Sequence, residues 1–202
     1  MTIELMDFTP VHTNAKLVEF QGEPVLQVTK NEKLMAFDEN TYCKLEDVSF
    51  HNGIVEVKVL SRLLPDAPDF ARGFIGLAFR IDKADTSFES FYVRPTNGRV
   101  EDSVRKNRAV QYFSYPNYTF DYFRERGITD FEASADIGLD EWLTIKAVVE
   151  EEKAAFYVND GEEPILSVEN LKLGAEAKGS IGLFVDIGTQ GFFKDLKITP
   201  FD

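Results

Sequence analysis

Gly73-Phe74-Ile75-Gly76-Leu77-Ala78-Phe79-Arg80-Ile81-Asp82 alternates with a period of two. Ile75, Leu77, Phe79 and Ile81 fall on one side, and Phe74, Gly76, Ala78, Arg80 and Asp82 fall on the other. Successive side chains of an extended chain point to opposite faces, so this is a strand with one wholly apolar face. The same period recurs at 54–60, 88–94, 109–114, 143–151, 154–158, 180–186 and 192–199, with shorter candidates at 17–20, 25–29 and 34–37. Turn residues punctuate these runs at His51-Asn52-Gly53, Thr96-Asn97-Gly98, Glu151-Glu152-Lys153 and Asn159-Asp160-Gly161. Many short strands divided by Gly, Pro and Asn predict an all-β, two-sheet antiparallel sandwich. Only 121–126 reads as a helical turn.

The chain has 202 residues, 44% of them hydrophobic and 28% charged, which suits one globular domain spanning 1–202. A domain of that size buries roughly 70% of its unfolded surface, enough for a core without disulfides or metal. Cys43 is the only cysteine, so no internal disulfide or thiolate zinc site exists; it is expected to be a small buried hydrophobe. The net charge of −13 disfavours nucleic acid and anionic membranes as partners, because both need basic counter-surfaces. Met1-Thr2-Ile3-Glu4-Leu5-Met6-Asp7 lacks the basic and apolar pattern of a leader, and no stretch is long enough to span a membrane. A cytoplasmic location is the expectation. Oligomeric state is not legible.

Charge is unevenly spread. Eight of nine arginines and five of seven tyrosines lie between Arg72 and Arg126, a stretch with 10 Lys and Arg against 7 Asp and Glu. The remainder carries 12 against 28. Guanidinium groups are suited to bidentate, stacked recognition, so the segment reads as a binding surface.

The run Glu141-Trp142-Leu143-Thr144-Ile145-Lys146, followed by Phe156-Tyr157-Val158-Asn159, reads as a long hairpin closing on an Asn/Gly turn. With Gly179-Ser180-Ile181-Gly182-Leu183-Phe184 and the closing Phe193-Lys194-Asp195-Leu196-Lys197-Ile198, it resembles the concanavalin A-like lectin/glucanase superfamily. Within that superfamily the likeness is to the laminin-G-like jelly rolls related to the 3-keto-disaccharide hydrolase domain, over about residues 45–199. The resemblance implies two curved antiparallel sheets with any glycan on the concave face or its rim. It also implies a buried aromatic at Trp142.

Alternation then assigns faces. Phe91, Val93, Val110, Tyr112, Ile181, Leu183 and Val185 point to the core. Ser90, Tyr92, Arg94, Gln111, Phe113, Gly182, Phe184 and Asp186 point outward. One outer face is expected to gather Arg80, Tyr92, Arg94, Gln111 and Asp186, with Arg72, Arg108, Tyr115 and Gln190 on flanking loops. Guanidinium, amide and carboxylate groups supply paired hydrogen bonds to vicinal hydroxyls, and rings cover a sugar's C–H face. The expected function is carbohydrate binding. The alternative at these residues is a set of cross-strand ion pairs involving Asp82, Glu89 or Asp186.

Catalysis has less to stand on. Glucanases of this superfamily carry E-x-D-x-E or E-x-D-x-x-E on one strand, and no segment matches; Asp130, Glu132 and Asp136, the run Glu150-Glu151-Glu152, and Glu89 are the nearest carboxylates. A glycoside hydrolase-like activity therefore remains the second reading. A third is an interaction domain built on the aromatic segment 114–123, which is either a flap over the groove or a plug in the sandwich. His12 and His51 are too few and too isolated for a metal site or a triad. No resident cofactor is expected; calcium on Asp66, Asp69, Asp82 and Asp85 is the alternative.

Overall fold

The computed structural model describes Glu4 and residues 7–201, so the leader reading at 1–7 falls mostly outside the described residues. The strands are β1 (Phe8–Val11), β2 (Thr13–Phe20), β3 (Glu23–Lys30), β4 (Tyr42–Leu45), β5 (Gly53–Leu63), β6 (Ile75–Ile81) and β7 (Phe88–Val93). They continue with β8 (Val110–Tyr115), β9 (Glu132–Ala133), β10 (Leu143–Glu150), β11 (Lys153–Val158), β12 (Leu166–Val168), β13 (Ser180–Val185) and β14 (Thr189–Pro200). Two short helices, α1 (Ser103–Lys106) and α2 (Phe120–Glu125), lie between β7 and β9. The first sheet runs β1-β4-β13-β6-β7-β8-β9 and the second β12-β11-β10-β5-β14-β3-β2, with antiparallel neighbours throughout. This is the expected β-sandwich.

Local pattern explains most of it. In β10, Leu143, Ile145, Ala147 and Val149 are buried, while the residues between them are not. The β10–β11 hairpin closes at Glu151-Glu152 rather than at Asn159, whose turn ends β11. The core between the sheets packs Ile75, Leu77, Phe79, Phe91, Val93, Val110, Tyr112, Ile181, Leu183 and Val185 against residues such as Val57, Ile145, Phe156 and Phe193. Those inward assignments match the alternation.

Ile81 and Arg80 do not. The β6–β13 register slips between Ser180↔Ile81 and Gly182↔Ala78, and Arg80 takes a positive φ of 53°. This bulge reverses the alternation, as an extra residue in one strand must. Ile81 joins the outer cluster, and the Arg80 guanidinium turns to the end of the sandwich. There it donates to the carbonyls of His51 (2.9 Å), Gly174 (3.0 Å) and Glu151 (2.7 Å).

The larger departure concerns the outer face of the first sheet. β6 and β7 are buried on both sides. Tyr42, Phe74, Ala78, Ile81, Phe88, Tyr92, Phe113 and Phe184 form a second apolar layer there, with Phe37 and Tyr115 packed on it. Residues 31–41, the connection from β3 to β4, are tied over this layer. Asn40 Nδ2 donates to the Asp85 carbonyl (2.9 Å), Asp38 N to Asp186 Oδ2 (2.9 Å) and Thr41 Oγ1 to the Val185 carbonyl (2.7 Å). The strand expected at 34–37 is therefore this covering segment, not a strand. Trp142 is also displaced from expectation. It lies half-buried on the outer side of the second sheet, packed on Val25, Leu60 and Phe192, and its indole N–H donates to Gln21 Oε1 (2.9 Å).

Candidate functional site

Arg94 continues the outward series Phe88, Ser90, Tyr92 just past the end of β7, and is only 3% exposed. One terminal nitrogen donates to the Arg108 carbonyl (2.9 Å) and Glu132 Oε2 (3.0 Å); the other donates to the Tyr92 hydroxyl (2.9 Å) and Gln111 Oε1 (3.0 Å). Gln111 Nε2 in turn donates to the Tyr112 carbonyl (2.7 Å). Glu132 also receives Arg124 (3.1 Å). Burial works against the Arg94 charge, but Tyr92, Glu132 and Asp38 hold its pKa above the ordinary value. Tyr92, Arg94 and Gln111 thus come together as expected, but as a buried and mutually satisfied network rather than an open floor.

In front of that network lies a cavity of about 270 Å³ lined by Phe37, Phe70, Arg72, Phe74, Tyr92, Arg94, Asn97, Arg105, Arg108, Phe120 and Arg124. The covering segment supplies Phe37, whose ring meets Phe70, Phe74 and Phe120 edge-on at 5.5, 5.7 and 5.6 Å. The lead-in to β6 supplies Phe70, Arg72 and Phe74. The β7–β8 connection supplies Asn97, Arg105 and Arg108, and α2 supplies Phe120 and Arg124. Asp102 caps α1 by accepting from Arg105 N (3.0 Å), and the Arg105 side chain reaches Asn97 Oδ1 (3.1 Å). Gly98 allows this connection to seat closely, because a Cβ there would stand 2.1 Å from the Ile137 carbonyl oxygen. Arg124 lies 4.8 Å over the Phe120 ring.

The other expected residues divide. Arg72 and Arg108 reach the cavity. Arg80 does not, because the bulge turns it onto backbone carbonyls. Tyr115 stacks on Phe88 (5.0 Å) and donates to Glu39 Oε2 (3.1 Å), lining a neighbouring cavity of about 420 Å³ that shares Phe37 and Phe120. Asp186 is buried; its Oδ1 accepts from Lys30 Nζ (2.6 Å) and Ile187 N (2.7 Å), so it anchors the covering segment. Gln190 sits on β14 in the second sheet and donates to Gln27 Oε1 (3.1 Å), away from the others. Sequence alternation missed Arg105, Arg124 and Asn97, although the two arginines belong to the Arg-rich stretch. Nothing local marked Phe37 or Phe70.

The covering segment also carries Asp38. It is buried, its Oδ2 accepts from Phe120 N (2.8 Å), and its Oδ1 has no hydrogen-bond partner among the described residues. Burial, then the adjacent Asp186 carboxylate, push its pKa up to about 7.

Three of the carboxylates considered for catalysis, and two of those considered for calcium, are engaged elsewhere. Glu132 is held between Arg94 and Arg124. Glu89 points into the sandwich, where Tyr112 OH (2.6 Å) and Leu173 N (2.7 Å) donate to it, and its pKa is raised chiefly by burial. Asp136 pairs with Arg99 (2.6 Å) on the surface. Asp82 accepts from Thr86 N (2.7 Å) and Ser87 N (3.2 Å), and Asp85 from Tyr42 OH (2.8 Å) and Lys44 (2.9 Å). Among the described residues no three His, Cys, Asp or Glu side chains converge as a metal site. In the aromatic segment, Phe123 is buried, Tyr118 and Tyr122 pack on the core, and Phe120 walls the cavity. It is plug and wall at once.

The fold resembles that of a carbohydrate-binding module. Carbohydrate binding module CBM66 from Bacillus subtilis superposes with a TM-score of 0.62 at 15% identity, covering 94% of this chain and 93% of that one. A Bacillus subtilis protein of unknown function with a galectin-like fold superposes at 0.58 and 13% identity, covering 96% and 89%. A native glycosidic hydrolase superposes at 0.50 and 13% identity, covering 92% and 81%. The likeness is one of fold. No protein-family model matches the chain. No curated protein matches it. No helix among the described residues is long and apolar enough to cross a membrane.

Proposed function

We propose that the protein binds a carbohydrate and seats one sugar unit in the arginine–aromatic cavity beside Arg94. The observation that carries this reading is the pairing of ring faces with planar hydrogen-bond donors in one recess of a jelly-roll sheet. Phe37, Phe70, Phe74 and Phe120 offer apolar surface to C–H groups. Arg72, Arg105, Arg108 and the Asn97 amide offer donors to ring substituents. A volume of about 270 Å³ lies just under the roughly 300–1,000 Å³ of drug-sized sites, which suits a single ring and not a long chain segment.

No Asp or Glu is among the residues lining the cavity, so binding without bond cleavage fits better than hydrolysis. Arg105→Ala and Phe120→Ala test the reading, since both side chains stand at the wall rather than in the core. Each is expected to weaken binding on a glycan array by about tenfold or more, the loss of a charge-assisted bond or a stacked ring, with the melting temperature almost unchanged. Wild-type affinity in both variants would remove the cavity from consideration.

A further inference from the structure

We infer that the sugar seated in this cavity is acidic, bearing a carboxylate, sulfate or phosphate group; the inference rests on the carbohydrate reading above and deepens it. Five arginines line one small cavity, and no acidic residue lines it with them. Glu132, behind the wall, is shared by Arg94 and Arg124. Arg72, Arg105 and Arg108 have no carboxylate partner among the described residues. Arg72 donates to the carbonyls of Asp69 (2.7 Å) and Ala71 (2.9 Å), and Arg105 to Asn97 Oδ1 (3.1 Å).

The chain has 35 Asp and Glu to offer, and the surface arginines use them: Arg62 pairs with Asp140, Arg99 with Glu141 and Asp136, and Arg126 with Glu125. Of the cavity arginines, Arg72, Arg105 and Arg108 are the exception. Burial, and then the neighbouring charges of Arg105 and Arg94, make Arg72 hold its proton less tightly than usual. An anion entering between them relieves that repulsion and accepts fork-shaped hydrogen bonds. The chain carries a net charge of −13, so a recess lined by five arginines stands out locally as a surface suited to an anion.

The test is an array of neutral, uronate-bearing, sulfated and phosphorylated oligosaccharides, followed by calorimetric titration of the hits, with inorganic phosphate as a sugar-free probe. Signal is expected only on acidic glycans, falling by about tenfold or more between about 50 and 500 mM salt. Arg105→Ala or Arg108→Ala should abolish it, while Arg62→Ala, on the other sheet, should not. The uronate arm against the sulfate and phosphate arms identifies which anion is read. Neutral glycans bound as tightly as acidic ones, without salt dependence, would overturn the acidic ligand and leave carbohydrate binding standing. Phosphate bound as tightly as any acidic sugar would instead remove the sugar, and a blank array with no phosphate binding would end both readings.

Discussion

At the scale of single residues, environment rather than identity decides what each polar group does. Arg80 and Arg94 are both nearly inaccessible, yet one closes the end of the sandwich through carbonyls and the other backs a cavity through Glu132, Tyr92 and Gln111. Asp38 is the residue whose environment has the sharpest consequence for stability. Its neighbours are Asp186, which raises its pKa, and the Phe120 N–H and Arg94, which lower it; burial exceeds both and leaves it at about 7. An unfolded Asp titrates near about 3.9. Below that value both states hold the proton. Between about 4 and 7 the native state keeps a proton that the unfolded chain has released, so this group's contribution is lost as pH rises and stays lost above about 7. The loss is on the order of 4 kcal/mol. Asp38→Asn keeps the shape and tolerates the positive φ of 52° at this position. Urea denaturation at about pH 5 and pH 8 should show the variant gaining on the wild type at the higher pH. A difference that does not change with pH contradicts the assignment.

At the scale of elements, the covering segment and the central strands depend on one another. Residues 31–41 carry no strand, yet they supply Phe37 and tie to β13 and α2 through Asp186, Val185 and Phe120. Gly76 on β6 faces Tyr92 on β7, and a Cβ at Gly76 would stand 2.1 Å from the Phe91 carbonyl oxygen and 2.5 Å from Tyr92 Cα. The obstacle is backbone, which cannot swing away. Gly76→Ala is expected to cost about 1–3 kcal/mol or more by forcing β6 and β7 apart, and to shift Tyr92 at the cavity wall. Thermal unfolding followed by circular dichroism reads the first effect, and glycan titration the second. An unchanged melting temperature would mean that the β6–β7 pair relaxes freely. The same strand shows what local pattern conveys: Ile75, Leu77 and Phe79 are placed correctly by alternation. The bulge that redirects Arg80 and Ile81 leaves no mark in the run of residue types, because it is set by pairing with Ser180 and Gly182.

At the scale of the whole molecule, the two sheets have different outer faces. The first is buried under an aromatic layer and its cover, with the arginine cavity at the end where β6 begins and β7 ends. The second carries a smaller cluster with Trp142 half-buried beside Phe20 and under Lys194 (4.3 Å). Trp142, the sole tryptophan, therefore reports on unfolding but not on occupancy of the cavity across the sandwich. Its emission should shift to the red on denaturation and stay unchanged on saturation with a glycan ligand; a ligand-induced shift would place binding on the second sheet. The alternating runs and turn residues were enough to determine an antiparallel two-sheet sandwich and most of the inward faces of β6, β7, β8 and β13, because burial against a facing sheet imposes a period of two locally. The crowding of Arg and Tyr between 72 and 126 contains the five arginines that line the cavity. Only the tertiary structure decided which arginines meet and which lie sealed. That outcome depends on a bulge, on a cover from residues 31–41 and on rings such as Phe37 and Phe70, contacts between distant parts of the chain that no local period records.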